Sequence, residues 1–463
     1  MLHTRRAAWS RPASCENWEE VVRRFEERHG DLDTLEVILP DSNGVLRGKW
    51  LPGSALRKVF ENGVALPFSL FGLDVWGREV EETGMHIETG DKDGVCWPVP
   101  GTLNLVPWMD RPTAQVLLSM HDRDGKAFLC DPRHVLARMR DRLAEHGLSA
   151  TAAFELEFYL FEDQDDGDWS GAPTPVFATH LGPARQNMYA LSDLEALMGV
   201  VDELRRSADA QGIPADAAVS EAAPGQFELN LHYRRDPLLA ADDAVLLRRL
   251  VAGVARKHNL KASFMAKPFV EWPGNGMHVH VSMEDGSGNI FADPEQGEAR
   301  LGHAIKGLLD TMQEAHLLFV STFNGFRRMQ PGSYAPTSIC WGHDNRSVAL
   351  RVPAGTPESA RIEHRIAGAD ANPYLVLTGV LAGMLQGVLG KVAPPPPVEG
   401  NAYEKTAPHL TPWMDEAIDA FSASRRMVDA VGTDMHKVLT DIKRHELFAF
   451  GREISSLERQ TYL

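Results

Sequence analysis

The chain of 463 residues is predicted to have an α+β fold, in which strands and helices follow one another without a regular βαβ alternation. Two segments carry much of this prediction. In 154–158 and in 276–282, bulky apolar residues alternate with acids or histidines, which is the period of a strand with one buried face. Longer stretches such as 239–258 have apolar residues at helical spacing instead. The length is enough for two or three domains with cores of their own.

The N-terminal part begins with elements that predict a small sheet. Charges at helical spacing over 16–29 predict a surface helix, and the apolar run over 34–40 predicts a strand. Residues 41–44, Asp-Ser-Asn-Gly, are strong turn formers, so 45–50 should return as the second strand of a hairpin. A similar turn sequence at 122–125 predicts another hairpin.

A domain boundary is predicted near Cys130. Asp131 and Pro132 have the residue types of a helix N-cap and of the first helical position. This gives an N-terminal domain over 16–130 and a C-terminal domain over 131–463. In the second domain, the periodicity predicts strands over 151–161, 226–232 and 276–283 and helices over about 191–211, 239–258 and 296–320. The last 60 residues are expected to be mostly helical.

The uncharged stretch from Tyr374 to Leu389 is close to the length of a membrane span, which is about 17 residues at its lower limit. Thr378 and Gln386 interrupt it, and charged segments flank it on both sides. A buried helix of a soluble domain is therefore the preferred interpretation. Its glycines at four-residue spacing predict a ridge that allows close contact with another helix. They are Gly379, Gly383 and Gly387.

The net charge of −17 disfavours nucleic acid and anionic membranes as partners, and it weakly favours a cationic substrate. The cysteines are widely spaced without a CxxC pair, which is typical of reduced thiols in a cytoplasmic protein. They are Cys15, Cys96, Cys130 and Cys340. The N-terminal segment carries arginines but no apolar run, so no secretory signal is expected.

Two acidic groups are candidates for a metal site. Glu155 and Glu157 share a strand face, with aromatic residues on the opposite face. Glu221 precedes a Pro-Gly turn, and Glu228 and Asn230 share a face of the strand that follows it. Buried acids are costly unless they are paired or bind a cation. Solvated acidic faces are the alternative interpretation for both groups.

The strand over 276–282 adds imidazole to these oxygen ligands. His278, His280 and Ser282 share one of its faces. Carboxylate and imidazole together suit a hard divalent metal. A structural role for the histidines is the alternative.

Arginine-rich segments near the end of the second domain predict anion binding. Arg361, Glu363 and Arg365 alternate along a short strand and share a face, although a salt-bridged outer face would have the same pattern. The loops at 326–332 and 345–351 combine arginine with glycine or serine, a composition common where anions are recognised.

These five groups, in this order, resemble the glutamine synthetase superfamily from about residue 16 to the C-terminus. Within it the chain looks most like the glutamate–putrescine ligase (γ-glutamylpolyamine synthetase) branch. The segments that carry this resemblance are 221–230, 262–268, 341–343 and 367–374. The resemblance implies an N-terminal β-grasp-like domain, a glutamine-synthetase-type catalytic domain, and a homododecamer of two hexameric rings with active sites between subunits.

The resemblance also implies residue roles. For the metals, it implies Glu157, Glu221 and Glu228 at a first ion and Glu155, His278 and Glu363 at a second. For the nucleotide and the transferred phosphate, it implies His280, Ser282, Arg346, Arg351 and Arg361. For the substrate glutamate, it implies Arg328, Arg365, Gly274 and His278.

The activity implied by the resemblance is the ATP-dependent joining of an amine to the γ-carboxylate of L-glutamate through γ-glutamyl phosphate, with Mg²⁺ or Mn²⁺ at the site. A true glutamine synthetase that uses ammonia and a non-catalytic member of the fold are the alternatives. The sequence leaves open which amine and which of the two metals is preferred.

Departures from the family pattern favour an alkylamine. Glutamine synthetases hold ammonium with an aspartate and a loop glutamate, and the matching positions here are Pro67 and Tyr334. A proline and an aromatic ring suit a carbon chain, and Tyr334 is expected to face the cationic amine at the catalytic centre. Pro273 replaces an asparagine that often contacts glutamate, and Tyr403 lies near a modified tyrosine of some members in a poorly matching segment. Candidate acids for a distal amine are Asp74 and Glu79.

Overall fold

The structure is a computed structural model that describes residues 12, 17–87, 90–162, 174–177, 188–405 and 407–463. It confirms the predicted α+β class, because helices and strands are mixed and most neighbouring strands are antiparallel. The expected first residue of the N-terminal domain, Glu16, lies outside the described residues, as do Cys15 and the N-terminal arginines. Cys96, Cys130 and Cys340 are buried thiols.

The helices and strands have the following bounds. The helices are α1 Trp18–His29, α2 Leu56–Asn62, α3 Pro132–Glu145, α4 Leu191–Ala196, α5 Met198–Gln211, α6 Pro237–Lys257, α7 Gly297–Phe319, α8 Gly325–Arg328, α9 Pro373–Gly390, α10 Met414–Ala423, α11 Arg425–Val431, α12 Thr433–Gly451 and α13 Ser456–Tyr462. The strands are β1 Thr34–Pro40, β2 Leu46–Pro52, β3 Val64–Pro67, β4 Asp93–Pro98, β5 Asn104–Leu105, β6 Thr113–His121, β7 Ser149–Glu162, β8 Ala215–Ser220, β9 Gln226–Leu231, β10 Leu260–Ser263, β11 Met277–Asp285, β12 Gly288–Asn289, β13 Trp341–His343, β14 Leu350–Val352 and β15 Ile362–His364.

The strands form two sheets that follow one another along the chain. The N-terminal sheet has the order β2-β1-β6-β4-β3, with β5 paired to β6. The larger sheet has the order β13-β14-β15-β11-β7-β9-β8, with β10 paired to β7 and β12 to β11. The predicted first hairpin is confirmed as β1 and β2, which pair in antiparallel register from Thr34 with Pro52 to Pro40 with Leu46. Strand β7 lies inside the larger sheet, between β11 and β9, so its residues have neighbours on both sides.

Two predicted elements differ in part from the structure. The chain does reverse at 122–125, where Asp122 N donates to Lys126 O at 2.8 Å and Phe128 N to Met120 O at 3.0 Å, but the returning segment forms only one bridge, from Ala127 to His121, and no strand. The helix expected over 191–211 is divided at Leu197, whose φ of −104° and ψ of 18° end α4 and begin α5.

Helix α9 lies in the core. It is the one helix in the described part of the chain that is long and apolar enough to cross a membrane, and 72% of that window is buried inside the protein. Its glycine ridge lets α7 approach closely, since a Cβ added to Gly307 of α7 would lie 2.1 Å from Gly383 O and 2.6 Å from Gly387 Cα. The prediction of a buried helix with a glycine contact ridge is confirmed.

The turn at 41–44 connects the N-terminal sheet to the helices of the second part of the chain. Asn372, the N-cap of α9, donates a hydrogen bond to Asp41 O at 3.0 Å. Lys443 of α12 donates one to Asn43 Oδ1 at 2.5 Å. The turn therefore docks the first sheet onto helices of the second part of the chain as well as reversing the chain.

Exchanging Lys443 for methionine should lower the free energy of unfolding by about 3–5 kcal/mol, because its partner acid would stay buried without a counter-charge. The Lys443 and Glu446 side chains are 1% and 2% exposed, with Nζ and Oε2 2.8 Å apart, and Glu446 Oε1 accepts from the Val75 amide at 2.8 Å. The control is Arg444→Met, which removes an exposed pair with Asp419 and should cost less than about 1 kcal/mol. Urea denaturation is the measurement, and equal losses would contradict the prediction.

Candidate active site

The larger sheet brings the predicted polar residues onto one face. Glu155 on β7 lies directly opposite Asn230 of β9 on one side and His278 of β11 on the other. Glu157 lies directly opposite Glu228 of β9. Directly opposite residues of antiparallel strands point to the same side of a sheet, so this register gathers acids and an imidazole in one place.

The row of polar residues continues toward the other edge of the sheet. His280 of β11 lies opposite Glu363 of β15, which lies opposite Arg351 of β14. The other face of β7 carries Phe154 and Phe158, which are 0% and 1% exposed. The strand alternation read from the sequence is therefore confirmed, with the aromatic side in the core and the polar side toward the site.

The acids and histidines contact each other directly. Glu155 Oε2 lies 3.3 Å from His278 Nδ1, and Glu155 Oε1 lies 2.9 Å from His280 Nε2. The Gly276 amide donates a hydrogen bond to Glu157 Oε2 at 2.6 Å. The side chains of Glu155 and Glu157 are 22% and 14% exposed, so they face an enclosed space rather than open solvent.

Burial and mutual repulsion perturb these acids. Burial, followed by the charges of Glu155 and Glu157, raises the pKa of Glu228 to about 9. Burial and the charge of Glu157 raise the pKa of Glu221 to about 7. For Glu155, burial also opposes ionisation, but the hydrogen bonds of its two histidine partners outweigh it and lower the pKa. The cluster thus holds more carboxylates than its own cations neutralise, and a bound cation would offset the excess.

The donor set fits divalent cations. Among the described residues, one ligand atom each from Glu155, Glu228 and His278 lies within 4.8 Å of the other two. The same holds for one atom each from Glu155, His280 and Glu363. Carboxylate oxygen with some imidazole nitrogen is a donor set that Mg²⁺ and Mn²⁺ accept.

The observed grouping differs from the predicted one in two respects. Glu155 belongs to both compact sets, and His280, expected near the nucleotide, takes the place beside Glu363 where His278 was expected. Glu157 and Glu221 lie close by, since the charge of Glu157 acts on Glu221. All six predicted metal-ligand positions are therefore at or next to one site.

Arg328, on the short helix α8, is a buried arginine next to this site. It is 4% exposed, it forms no salt bridge among the described residues, and its Nη1 donates to Ile366 O at 2.8 Å. Gly274 and Gly276 lie so close that an added Cβ would come within 2.9 Å of Arg328 Cγ and 2.7 Å of Arg328 Nη2, respectively. Burial lowers the pKa of the guanidinium, against the charges of Glu157 and Asp370, which raise it. A buried guanidinium that forms no salt bridge is a prepared site for a carboxylate or phosphate.

Glu363 lies between arginines. It is 1% exposed, Arg365 donates a hydrogen bond to its Oε1, and Arg351 Nη1 donates to its Oε2 at 2.7 Å. Burial opposes ionisation, but the charges of Arg365 and the nearby histidines lower the pKa of Glu363 to about 2. Arg351 also lies 2.5 Å from Asp344, so it is already paired on two sides. Because this strand is buried, the alternative of a salt-bridged outer face is wrong.

The loop that precedes β11 is held by residues that the sequence analysis did not single out. Tyr159 donates its hydroxyl to Pro273 O at 2.8 Å. Gln226 donates to Gly274 O at 3.0 Å and to Asn275 Oδ1 at 3.1 Å. The backbone carbonyl of Pro273 is therefore one of the acceptors through which this loop is held in place. Tyr159 and Gln226 lie directly opposite each other on β7 and β9, a pairing that the sequence does not indicate.

A first cavity, of about 1040 Å³, adjoins the polar face of the sheet. Its lining includes Glu155, His280, Ser282 and Arg361, and Arg361 Nε donates to His280 Nδ1 at 3.1 Å. It also includes Tyr233, which is 65% exposed and which the sequence analysis missed. An exposed ring beside acids and an arginine offers a stacking surface for a planar base.

A second cavity, of about 790 Å³, lies beside the loop that contains Arg346. Its lining includes Tyr334, Tyr403, Asp344, Arg346 and Glu399. Arg346 is exposed and its charge lowers the pKa of a predicted metal ligand, Glu221, against the larger effect of burial. The segment 345–351, which supplies Arg346 to this cavity, also carries Arg351, which donates to the predicted metal ligand Glu363 at 2.7 Å.

Tyr334 projects from the loop at the mouth of this second cavity. Its φ of 59° is in the left-handed region, and its side chain is 64% exposed. Tyr403 fixes the neighbouring backbone by donating its hydroxyl to Ala335 O at 2.9 Å. Burial raises the pKa of the Tyr403 hydroxyl, against the charges of Arg328 and Arg365, which lower it.

The candidate positions in the N-terminal part of the chain lie elsewhere. Among the described residues, Pro67, Asp74 and Glu79 line neither cavity. Asp74 is 0% exposed and accepts hydrogen bonds from the amides of Trp76 and Arg78 and from Arg78 Nε at 2.8–3.0 Å. It is therefore a turn residue whose oxygens are already occupied, and we do not retain it as an acid for a distal amine.

Residues 129–462 match the family model described as glutamine synthetase, catalytic domain. The fold and the site agree with this match, and the chain belongs to the glutamine synthetase family. It is 39% identical to the γ-glutamylputrescine synthetase of Escherichia coli over 441 residues, which cover 95% of this chain and 93% of the relative. It is 35% identical to the glutamate–isopropylamine ligase of a Pseudomonas species over 428 residues, which cover 89% and 91%. A solved GmaS/ADP complex has a TM-score of 0.81 and 25% identity and covers 95% of this chain and 98% of that one.

Proposed function

We propose that this protein is an ATP-dependent ligase that joins the γ-carboxylate of L-glutamate to an alkylamine or polyamine such as putrescine, with release of ADP and phosphate. The observation that carries the proposal is the sheet face on which largely buried acids and histidines lie near Arg328, a buried arginine that forms no salt bridge among the described residues. The relatives support it by name, since one makes γ-glutamylputrescine and the other ligates glutamate to isopropylamine.

In the first step, the γ-carboxylate of glutamate attacks the terminal phosphate of ATP to form γ-glutamyl phosphate. Arg328 and Arg365 hold the glutamate carboxylates, because a guanidinium fork matches a carboxylate in a bidentate manner. Arg346, which is exposed and lines the second cavity, contacts the transferred phosphate, and Arg351 of the same segment holds Glu363 through a hydrogen bond of 2.7 Å. The cluster of acids and histidines would hold divalent cations, which would supply the remaining positive charge that phosphoryl transfer requires.

In the second step, the neutral amine attacks the acyl phosphate carbon and phosphate leaves. The amine approaches through the second cavity, where Tyr334 stands at the position that is acidic in an ammonia-using enzyme. A ring stabilises the carbon chain of an alkylamine by burial and a nearby ammonium by a cation–π contact.

The nucleotide occupies the first cavity. His280, which lies 2.9 Å from Glu155, and Arg361, which donates to His280, line this cavity with Ser282 and would contact the phosphates and ribose. Tyr233 offers its exposed ring to the adenine base. In this orientation of the nucleotide, the terminal phosphate would lie next to Glu155 and the adenine base would lie next to Tyr233.

Four further parts of the proposal concern the whole protein. The metal is Mg²⁺ or Mn²⁺, the chain acts as a homododecamer of two hexameric rings in the cytoplasm, and the domains are 16–130 and 131–463. Support for assembly comes from Pro67, which matches an active-site position of the family but lines neither cavity of its own chain, as expected if a second subunit completes the site. Trp50 on β2, 70% exposed, marks the N-terminal sheet as a surface suited to such a contact.

The other candidate functions are less well supported. A non-catalytic member would have no need for buried, mutually repelling acids such as Glu221 and Glu228. A glutamine synthetase needs a compact acidic site for ammonium, and the matching positions here are a proline and Tyr334.

An alkylamine should be preferred to ammonia by at least about tenfold in kcat/KM. Each buried methylene contributes about 0.8 kcal/mol, so the four-carbon chain of putrescine can offset the missing carboxylates. The measurement is phosphate release with saturating glutamate and ATP and equal concentrations of ammonium, butylamine and putrescine. Tyr334→Glu should raise the use of ammonia and lower that of the amines.

The result that would refute the proposal is a higher kcat/KM for ammonium than for either amine, and ordinary glutamine synthesis would take its place. Phosphate release that needs no amine would point to a different reaction. Tyr189→Phe is a control for Tyr334→Glu, since it changes another exposed tyrosine that lines neither cavity among the described residues.

A further inference from the structure

The second cavity, which Tyr334 lines, contains a carboxylate that has no ion-pair partner in the part of the chain that the structure describes. Glu399 lines the cavity, its side chain is exposed, and it forms no hydrogen bond or ion pair with the described residues. Asp344, the other acid of the lining, is paired with Arg351 at 2.5 Å. Glu399 is therefore the negative charge of this cavity that remains available to a ligand.

The backbone on both sides of Glu399 is fixed. Asn345 donates through Nδ2 to Val398 O at 3.2 Å and to Gly400 O at 2.8 Å. The Val398 amide in turn donates to Trp341 O at 2.8 Å, which fastens the segment to β13. Because the backbone of both neighbouring residues is fixed, the Glu399 carboxylate can bind a cationic group with little loss of backbone entropy.

The position of the cavity relates this carboxylate to the reaction. Tyr403 donates its hydroxyl to Ala335 O at 2.9 Å, and Ser333 of the same loop donates to the backbone oxygen of Arg328 at 3.1 Å, so the cavity adjoins the loop that follows the proposed glutamate-binding arginine. Arg346, also in the lining, belongs to the segment 345–351, whose Arg351 donates to Glu363 Oε2 at 2.7 Å. An amine that attacks near Arg328 would extend its carbon chain along the rings of Tyr334 and Tyr403 and bring a second amino group toward Glu399.

We propose that Glu399 binds the distal ammonium of an α,ω-diamine and is a specificity-determining residue for diamines over monoamines. The inference rests on the proposed function, because it concerns the amine of that same reaction. The proximal amino group must be neutral to attack, whereas the distal one stays protonated near neutral pH and needs an anionic partner. Glu399 supplies that partner, and the tyrosine rings bury the methylenes between the two nitrogens.

The test compares putrescine with butylamine, which has the same carbon chain without the distal amino group. Glu399→Gln should lower the ratio of kcat/KM for putrescine to kcat/KM for butylamine by about fivefold, the upper range for one exposed ion pair. Glu399→Lys should lower the ratio further by placing two positive charges together. The KM values for ATP and glutamate should not change. Added salt should reduce the preference for putrescine in the unmodified enzyme but not in Glu399→Gln.

Glu404→Gln is the matched control, because it removes the same charge from the same loop at a residue that accepts a hydrogen bond from Asn401 and does not line the cavity among the described residues. The inference is overturned if the ratio is unchanged in both Glu399 variants, or if Glu404→Gln lowers it as much. In that case the proposed function stands, since both amines still support phosphate release. If neither amine supports phosphate release by the unmodified enzyme, the proposed function fails and the inference with it.

Discussion

Glu157→Gln should lower phosphate release by at least about a thousandfold while leaving the fold intact. Three orders of magnitude correspond to about 4 kcal/mol of transition-state stabilisation, within what a metal ion contributes to phosphoryl transfer. Glutamine has almost the size of glutamate and keeps a carbonyl oxygen that can accept the Gly276 amide hydrogen bond, now 2.6 Å long. It lacks the charge and the second oxygen that a divalent cation requires.

A readout other than activity separates a lost ligand from a general defect. Mn²⁺ binding to the protein without substrates can be followed by the electron paramagnetic resonance signal of the free ion, and it should weaken by about tenfold or more. Glu162→Gln, at the exposed end of the same strand, is the control and should bind Mn²⁺ and turn over normally. Near-normal turnover or Mn²⁺ binding in Glu157→Gln would refute the assignment.

Glu363 is a less suitable residue for this test, although the sequence analysis predicts it as a metal ligand in the same way as Glu157. It is 1% exposed and accepts hydrogen bonds from both Arg351 and Arg365. Removing it would leave Arg365, 4% exposed, without its acid, and breaking a buried pair costs about 3–5 kcal/mol. Loss of activity in Glu363→Ala would therefore mix lost metal binding with lost stability, whereas Glu157 has no such arginine partner among the described residues.

The sequence was sufficient to predict which residues share a strand face, because the period of a strand is local. Glu155 with Glu157, and His278 with His280, were placed on common faces by alternation alone, and the structure has them there. Register between strands is different, because it depends on pairing across more than a hundred residues of chain. The compact set of Glu155, His280 and Glu363 follows from that register, so it was not predicted.

Long-range packing also explains the other features that the sequence could not indicate. Arg328 is buried because glycines from the loop before β11 leave room for its side chain, and no local pattern shows this. Tyr233 follows β9 as a single exposed aromatic residue, which carries no periodic signal. The Asp-Ser-Asn-Gly turn at 41–44 was predicted from its composition, but its contact with Lys443 joins residues 400 positions apart.

Arg328→Lys should lower kcat/KM for glutamate by about a hundredfold and leave ATP binding nearly unchanged. The arginine is buried beside Gly274 and Gly276, it has no acidic partner among the described residues, and one of its nitrogens is already fixed by Ile366 O at 2.8 Å. Its remaining donors can therefore bind a carboxylate in a fixed, bidentate orientation. Lysine keeps the charge but loses the fork, and each charge-assisted hydrogen bond lost is worth about 1.5–3 kcal/mol.

The neighbouring Arg327 provides the control for this last prediction. It is exposed, its guanidinium lies 4.6 Å from the centre of the Phe323 ring, and Arg327→Lys should leave glutamate use within about twofold of normal. Glutamate and ATP dependence are measured separately by phosphate release, and ATP binding is also measured directly without glutamate. A parallel fall in ATP binding would show that Arg328→Lys disturbs the whole site. Unchanged glutamate dependence would show that the buried guanidinium serves the fold instead, because a carboxylate held by a fork cannot be held equally well by a single ammonium.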